Sequence, residues 1–207
     1  FSHTKTFSGR GIGAWDTSSV THMGRMFRPE EAIDTSADGP QYNEVFNPDL
    51  SNWDVRKVTN MQDMFTKCIS FEGRGLEKWE TDSLVHMARI VNKCYSFKAD
   101  LSRWDVSKVT SMRYSFPGTT INFYLGSWDV GSVQSFRGTF ATIEGFTGEG
   151  LEGWRPERAE DMQEMFTGVR DLDVDLSGWK VPLIPEKPKG FTTSPHMTED
   201  KLPQWGG

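Results

Sequence analysis

The sequence predicts an α/β repeat solenoid, a stack of similar units that share one continuous core. Three observations support this: tryptophan recurs at near-constant spacing, an apolar residue precedes each tryptophan by three positions, and a common apolar pattern follows it. The eight tryptophans are Trp15, Trp53, Trp79, Trp104, Trp128, Trp154, Trp179 and Trp205. The distances between successive tryptophans are 38, 26, 25, 24, 26, 25 and 26 residues. A repeat of roughly 20–50 residues indicates units that bury their apolar faces only against their neighbours.

The other apolar residues keep fixed positions relative to each tryptophan. The residues three positions earlier are Ile12, Leu50, Leu76, Leu101, Leu125, Leu151, Leu176 and Leu202. The residues twelve positions later are Phe27, Phe65, Val91, Phe116, Phe140, Phe166 and Phe191. A methionine or phenylalanine stands eight positions after most tryptophans. Because these copies share a demand for burial, the tryptophans are predicted to lie in the core.

Each unit is predicted to contain two elements. The part around tryptophan, such as Leu-Ser-Arg-Trp-Asp at 101–105, favours a β-strand of about four or five residues. The next part, such as 58–65, places apolar residues at i, i+3, i+6 and i+7, close to one face of a helix. Thr59 is expected to cap that helix and Asp63 to lie in its first turn. We therefore expect one short strand and one short helix or 3-10 segment per unit.

Seven units and a partial eighth predict one solenoid domain over residues 1–207. An acidic insertion of the first unit occupies about 28–45, and a proline-rich, irregular seventh unit occupies about 181–195. Prolines at that density forbid a regular helix. The sequence favours a solvated loop for the insertion, and the alternative is a partner-binding loop that presents Glu30 and Glu31.

Charge and hydropathy exclude some classes of protein. The chain has 29 acidic and 23 basic residues and a net charge of −6, which argues against a general nucleic-acid-binding role. No apolar run approaches the roughly 18 residues that a membrane-spanning helix needs. No serine or cysteine nucleophile pairs with a base in the repeat pattern, so we expect no enzyme and no cofactor.

An acidic residue follows most tryptophans and is predicted to form a column along the stack. Its members are Asp16, Asp54, Glu80, Asp105 and Asp129. The favoured interpretation is an Asx turn, in which each carboxylate accepts a backbone amide. The alternative is a weak calcium ladder through Asp54, Glu80, Asp105 and Asp129, which needs six to eight oxygen ligands per ion.

Cys68 and Cys94 occupy the same position in adjacent units. Small buried thiols are the favoured interpretation, because cysteine packs as a compact hydrophobic side chain. A disulfide is the alternative, and it would indicate an oxidising compartment.

The residues 46–65 and 101–112, with their W-D-V-[RS]-K-V-T-x-M cores, resemble the DUF285 repeat, one of the BspA-like leucine-rich-repeat surface-protein families. The resemblance covers most of the chain and implies a leucine-rich-repeat-like solenoid used for adhesion or protein–protein contact. It implies a secreted or cell-surface protein and no enzymatic activity. An organelle lumen, or the periphery of a membrane complex, remains an open alternative.

Two function classes stay open. The first is a non-catalytic protein-interaction or scaffold module, either adhesin-like or an accessory subunit of a larger assembly; the unfinished eighth unit favours the assembly role. The second is a carbohydrate- or Ca²⁺-dependent binding module. Residues that vary between units are expected to contact the partner, and the stripe directly before tryptophan consists of Asn52, Lys78 and Arg103.

Overall fold

The computed structural model describes residues 6–29, 42–121 and 123–207. Within these ranges the regular elements are short, and no α-helix is present. Two strands, β1 (Lys180–Val181) and β2 (Gln204–Trp205), pair in parallel. The 3-10 helices of these ranges are Ile12–Ala14, Leu76–Lys78, Leu151–Gly153 and Glu199–Lys201. Turns make up most of each unit.

The helix predicted after each tryptophan is wrong. Alternate backbone amides of the second unit leave it and donate to the third at 2.8–2.9 Å, in the pairs Met61 to His86, Asp63 to Ala88, Phe65 to Ile90 and Lys67 to Asn92. The intervening amides of Met64, Thr66 and Cys68 instead close turns onto carbonyl groups three residues earlier. The i, i+3 apolar spacing therefore reflects consecutive turns that are tied to the next unit.

The backbone conformation explains why these turns do not merge into a helix. Asp63 and Lys67 have φ of 57° and 65°, in the left-handed region. The equivalent residues of the third unit, Arg89 and Lys93, have φ of 56° and 59°. A right-handed helix does not continue through such residues. The left-handed residues stand ten and fourteen positions after tryptophan, so the interruption recurs in each of these units.

The strand predicted around tryptophan forms only in the last two units, where β1 follows Trp179 and β2 ends at Trp205. In the earlier described units the tryptophan amide closes a turn onto the apolar residue three positions earlier, as Trp79 does to Leu76 at 3.1 Å. Parallel pairing between these earlier units lies in the half that was predicted to be helical. Its isolated bridges run through His22, Asn60, His86, Ser111, Ser135 and Asp161 in that order.

The tryptophans form the centre of the core, as predicted. Six of them are no more than 4% exposed, namely Trp53, Trp79, Trp104, Trp128, Trp154 and Trp179. Trp15 and Trp205, in the first and last units, are partly buried. The stacked neighbouring rings have centroids 5.9–6.4 Å apart. The aromatic column therefore passes from one unit to the next.

The proline-rich seventh unit keeps its contact with the sixth. The amide of Phe166 donates to the carbonyl of Phe191 at 2.8 Å, and the amide of Glu164 donates to Lys189 at 3.1 Å. On the other side, the amide of Gln204 donates to Trp179 at 3.0 Å. The irregular sequence of this unit thus leaves its stacking intact.

Candidate functional site

A groove of about 570 Å³ opens beside the turns that follow tryptophan. Its lining includes Arg28, Asp63, Lys67, Arg89, Lys93 and Tyr114. These residues belong to the first four units, and the fifth unit contributes Ala141 and Thr142. We call it the basic groove, because the described residues of its lining carry four cationic side chains and one carboxylate.

The carboxylate of Asp63 anchors the cationic wall of the basic groove. It is completely buried and accepts hydrogen bonds from Nε and Nη2 of Arg89 at 2.9 and 3.3 Å. Nη1 of Arg28 lies 3.4 Å from its Oδ1, and Thr66 donates a hydroxyl hydrogen to the same oxygen at 3.3 Å. A buried carboxylate is stable only when paired and hydrogen-bonded. Asp63, from the second unit, thereby positions arginines of the first and third units.

The ring of Tyr114 forms another wall. Its hydroxyl donates to Oε2 of Glu164 at 2.7 Å and accepts from Nε of Arg137 at 3.3 Å. The ring lies so close to Gly138 that a Cβ atom there would be 2.1 Å from it. Gly138 is therefore required for this ring position.

The residues around the groove have an unusual backbone. Eight described non-glycine residues have φ between 51° and 65°. Six of these line the groove: Asp63, Lys67, Arg89, Lys93, Tyr114 and Thr142. In other units the same two repeat positions hold glycine, as at Gly118 and Gly138. The left-handed conformation costs a non-glycine residue roughly 1–2 kcal/mol, and glycine avoids this cost. The six groove residues thus carry side chains although the left-handed backbone would be more stable with glycine. Residues held in such an unfavourable conformation often have a functional role.

The groove combines charge with apolar surface. Lys93 is exposed and forms no ion pair within the described part of the chain. Pro117 and Ala141 contribute apolar lining. Tyr95, which is 49% exposed, lies close to Gly118, the residue after Pro117, and its ring is 6.2 Å from that of Tyr42.

The predicted stripe before tryptophan lies on a different surface. Asn52, Lys78 and Arg103 are all exposed. Asn52 and Lys78 share a shallow depression of about 230 Å³, and Lys78 also borders a second one of about 420 Å³. Arg103 lines neither depression. Glu30 and Glu31, the other predicted partner-binding residues, lie outside the described residues.

The four aspartates of the acidic column form Asx turns, as the favoured interpretation predicts, and Glu80 does not. The aspartates each accept the amide two residues later at 2.9–3.1 Å, at Asp16, Asp54, Asp105 and Asp129. Hydrogen bonds from the side chain and then the backbone of Arg56 lower the pKa of Asp54 to about 2. Glu80 instead approaches Arg56 at 4.0 Å. Across residues 6–29, 42–121 and 123–207, no three His, Cys, Asp or Glu side chains are arranged to hold a metal ion.

Cys68 and Cys94 are buried free thiols, as the favoured interpretation expects. Sγ of Cys94 donates to the carbonyl of Phe65 at 2.9 Å, and Sγ of Cys68 donates to that of Phe27 at 3.4 Å. Burial raises the pKa of both thiols. Their position makes them poor nucleophiles.

The basic groove was not predicted from the sequence, because Asp63 and the equivalent residues Arg89 and Tyr114 were expected to lie on a helix. A signal was present in the alignment of the units. Gly118 stands at the repeat position of Lys93, and Gly138 stands at that of Tyr114. Glycine at these two positions, one inside the expected helix and one just after it, is a signal of a left-handed backbone in the equivalent residues of other units.

The stacked units, the shared aromatic core and the groove built from successive units define a repeat protein. More specifically, the chain belongs to the DUF285 family: the family described as "Mycoplasma protein of unknown function, DUF285" matches residues 1–43, 40–122 and 118–205. This confirms the resemblance to the DUF285 repeat. No curated protein and no solved structure matches the chain. In the part of the chain that the structure describes, no helix has the length and hydropathy to cross a membrane.

Proposed function

We propose that the protein is a non-catalytic interaction module that binds a partner protein in the basic groove. The observation that carries this proposal is the concentration of strained, non-glycine residues along one groove, six of the eight in the described chain. A purely structural repeat would gain stability from glycine at those positions. The side chains that remain there are the part of the repeat available for recognition.

The proposal includes the architecture that supports the groove. We infer that the chain, 1–207, forms one solenoid domain of the leucine-rich-repeat type. The hydrogen bonds that pass from each unit to the next in chain order support this arrangement. A solenoid places equivalent residues of successive units side by side, which creates an extended binding surface.

Protein binding is favoured over the other functions considered. A sugar-stacking platform needs exposed aromatic rings, but six of the tryptophans are buried. The aspartates considered as calcium ligands are engaged in Asx turns. The two thiols are buried, and their raised pKa values argue against nucleophilic catalysis. An adhesin-like role at a cell surface and an accessory role in a larger assembly both use such a groove, and both remain within the proposal.

Site-specific photo-crosslinking in cells of the natural source tests this function. A photoreactive phenylalanine derivative is placed at Lys93 in the groove, at Lys78 in the predicted stripe, and at exposed Glu157 as a background position. We expect a discrete crosslinked protein from Lys93 that is absent from Glu157. Mass spectrometry of that product identifies the partner. The cellular compartment of the partner distinguishes the adhesin-like role from the assembly role.

The three positions give distinct outcomes. A product from Lys78 alone would move recognition to the predicted stripe and reject the groove. The absence of a product from both Lys93 and Lys78, with the protein folded and present at its native level, would reject the interaction role.

A further inference from the structure

We propose that the surface formed by the turns before the tryptophans binds a neutral oligosaccharide, with one sugar ring stacked on Tyr124 and hydroxyl groups bound in the adjacent depression of about 420 Å³. This surface is not the basic groove, so the inference goes beyond the proposed function and does not depend on it. It follows from the position of the Tyr124 ring, from the departure of its unit from the repeat, and from the polar lining of the depression.

The ring of Tyr124 lies against two glycines and, unlike the buried tryptophans, remains accessible to solvent. A Cβ atom at Gly126 would be 2.7 Å from Cε1 of the ring, and one at Gly150 would be 3.0 Å from Cε2. Tyr124 is nonetheless 54% exposed. The preceding residue, Phe123, packs against Trp128 with ring centroids 5.8 Å apart. A ring held in place in this way loses little conformational freedom when a ligand stacks on it.

The unit that contains Tyr124 departs from the repeat at two linked positions. Four residues before tryptophan, the units outside this one carry mostly glycine or aspartate, at Gly11, Asp49, Gly75, Asp100, Gly150 and Asp175. Two residues before tryptophan, where Gly126 stands, the neighbouring units carry Ser102 and Glu152. Gly126 does not have a left-handed φ, so its backbone conformation does not require glycine. The space that the Tyr124 ring occupies is the reason for glycine there.

The depression offers hydrogen-bond donors and acceptors side by side. Its volume of about 420 Å³ lies in the range of ligand pockets, and its lining includes Asp49, Lys78 and Asp100. Oδ1 of Asp49 and Oδ1 of Asp100 accept the amides of Ser51 and Ser102 at 2.9 and 2.8 Å. A carboxylate has about four acceptor positions, so both aspartates can also accept hydrogen bonds from ligand hydroxyl groups. The exposed ammonium group of Lys78 adds donors.

The ring and the depression are adjacent in the stack of units. Asp100 lines the depression and stands four residues before Trp104, as Tyr124 stands four residues before Trp128. The hydroxyl group of Ser127 donates to the carbonyl of Ser102 at 2.6 Å, which joins the two turns. Paired segments of adjacent units lie about 4.8 Å apart. The ring is therefore one repeat step from the Asp100 end of the depression, within the span of one ligand.

These features favour a neutral sugar over the other ligands that stack on aromatic rings. A sugar hydroxyl group both donates and accepts, so it matches a lining that mixes carboxylates with ammonium groups. A single-stranded nucleic acid also stacks on aromatic rings, but it needs a cationic groove for its phosphates. The turns on either side of Tyr124, residues 98–103 and 149–153, carry three carboxylates and two cations. They therefore give a polyanion no net attraction.

A printed array of neutral, sialylated and sulfated glycans, probed with the fluorescently labelled full chain, tests the inference. We expect retention on a set of neutral glycans that share one sugar motif. The neutral glycan with the strongest retention is then titrated into unlabelled protein by isothermal titration calorimetry. Its affinity should change little as salt is raised, because binding neutralises no charge.

Substitutions of the ring and of its glycine support separate stacking from folding. Tyr124→Ala should weaken glycan binding at least about tenfold, and Tyr124→Phe less than about threefold, because the ring provides the stacking surface. Gly126→Ser introduces the residue that Ser51, Ser102 and Ser177 provide at this position, and it should weaken binding about fivefold by displacing the ring.

Tyr95→Ala is the matched control, because Tyr95 is 49% exposed and stands in the other half of its unit. It should change the glycan affinity less than about twofold. The midpoint of urea unfolding should stay unchanged in Tyr124→Ala, Tyr124→Phe and Gly126→Ser, since the substituted atoms lie at the surface.

Four results would overturn the inference: no retention on any neutral glycan, retention on sialylated or sulfated glycans alone, equal effects of Tyr124→Ala and Tyr95→Ala, or displacement of the glycan by poly-L-proline that binds more tightly through Tyr124. The last result would assign the ring to a peptide. Crosslinking from Lys93 reports on the basic groove separately, so a failure of glycan binding leaves the proposed function standing.

Discussion

The indole Nε1–H of Trp104 donates to the carbonyl oxygen of Leu76 in the preceding unit at 2.8 Å. The same carbonyl accepts the backbone amide of Trp79 within its own unit at 3.1 Å. One oxygen thus closes the turn of one unit and ties that unit to the next. The relationship recurs at distances up to 3.1 Å for Trp53, Trp79, Trp128, Trp154 and Trp179. It explains why tryptophan, rather than another aromatic residue, stands at this repeat position.

Replacing Trp104 with phenylalanine should therefore destabilise the fold by about 2–4 kcal/mol. The substitution removes a buried hydrogen bond and leaves part of the indole volume empty, beside a stacked ring at 5.9 Å. Urea unfolding followed by circular dichroism measures the loss. Trp205→Phe is the matched control, since Trp205 is only partly buried in the last unit and should cost less than about 1 kcal/mol. Equal losses for the two variants would contradict a special role for the indole bond.

The repeat and its core were predictable because burial imposes the same residue at the same position. Ile12, Leu50 and Leu76 precede their tryptophans by three residues, and each is buried. The secondary structure was not predictable in this way. Spacing of three and four residues suits both a helix and consecutive turns, and the choice depends on hydrogen bonds to another unit. Met61 makes such a bond to His86, twenty-five positions away, which no local pattern reveals.

Asp63→Asn should destabilise the protein by about 2–4 kcal/mol, although asparagine and aspartate have nearly the same shape. The buried carboxylate of Asp63 is contacted by Arg28 and Arg89, and the neutral amide would remove the negative charge from these ion pairs. Both asparagine and aspartate tolerate the left-handed backbone, so the φ of 57° adds no difference. Urea unfolding of the two proteins gives the change in free energy.

Asp82→Asn provides the comparison for this substitution, because Asp82 is exposed. We expect a change below about 0.5 kcal/mol for it. If Asp63→Asn also changes the free energy of unfolding by less than about 0.5 kcal/mol, the ion pairs of Asp63 with Arg28 and Arg89 contribute no net stability.

The groove was less predictable than the core, and the reason is specific to its residues. Lys67 and Lys93 follow the segment predicted to be helical, and their residue types do not indicate a left-handed conformation. Asp63 was predicted to lie in the first turn of a helix, whereas the structure buries it completely in a left-handed turn. Only the glycines at equivalent positions of other units carry a trace of this geometry.

The thiols of Cys68 and Cys94 should resist modification while the protein is folded. Burial raises the pKa of both groups, and thiolate is the form that reacts with disulfide reagents. We expect labelling by a chromogenic aromatic disulfide at pH 8 to be at least about a hundredfold slower in buffer than in denaturing urea. Single serine variants assign each rate to one cysteine. Rapid labelling of one thiol in buffer would show that its unit opens locally.

The Asx turns should make stability fall in acid, and Asp54 offers the clearest case. Hydrogen bonds from Arg56 lower its pKa from 3.8 to about 2 in the folded protein. A depressed folded-state pKa stabilises the protein at pH values above the pKa of the unfolded state, and this stabilisation is lost as the pH falls from about 4 to about 2.

Asp54→Asn keeps the hydrogen-bond acceptor of the turn but removes the titrating carboxyl group. Its deficit in unfolding free energy should therefore be present at pH 6 and shrink toward zero near pH 2, measured by urea unfolding across that range. Asp54→Ala, which also removes the acceptor, should retain a deficit at pH 2. A constant difference between the wild type and Asp54→Asn over this range would show that the charge of Asp54 does not contribute through its Asx turn.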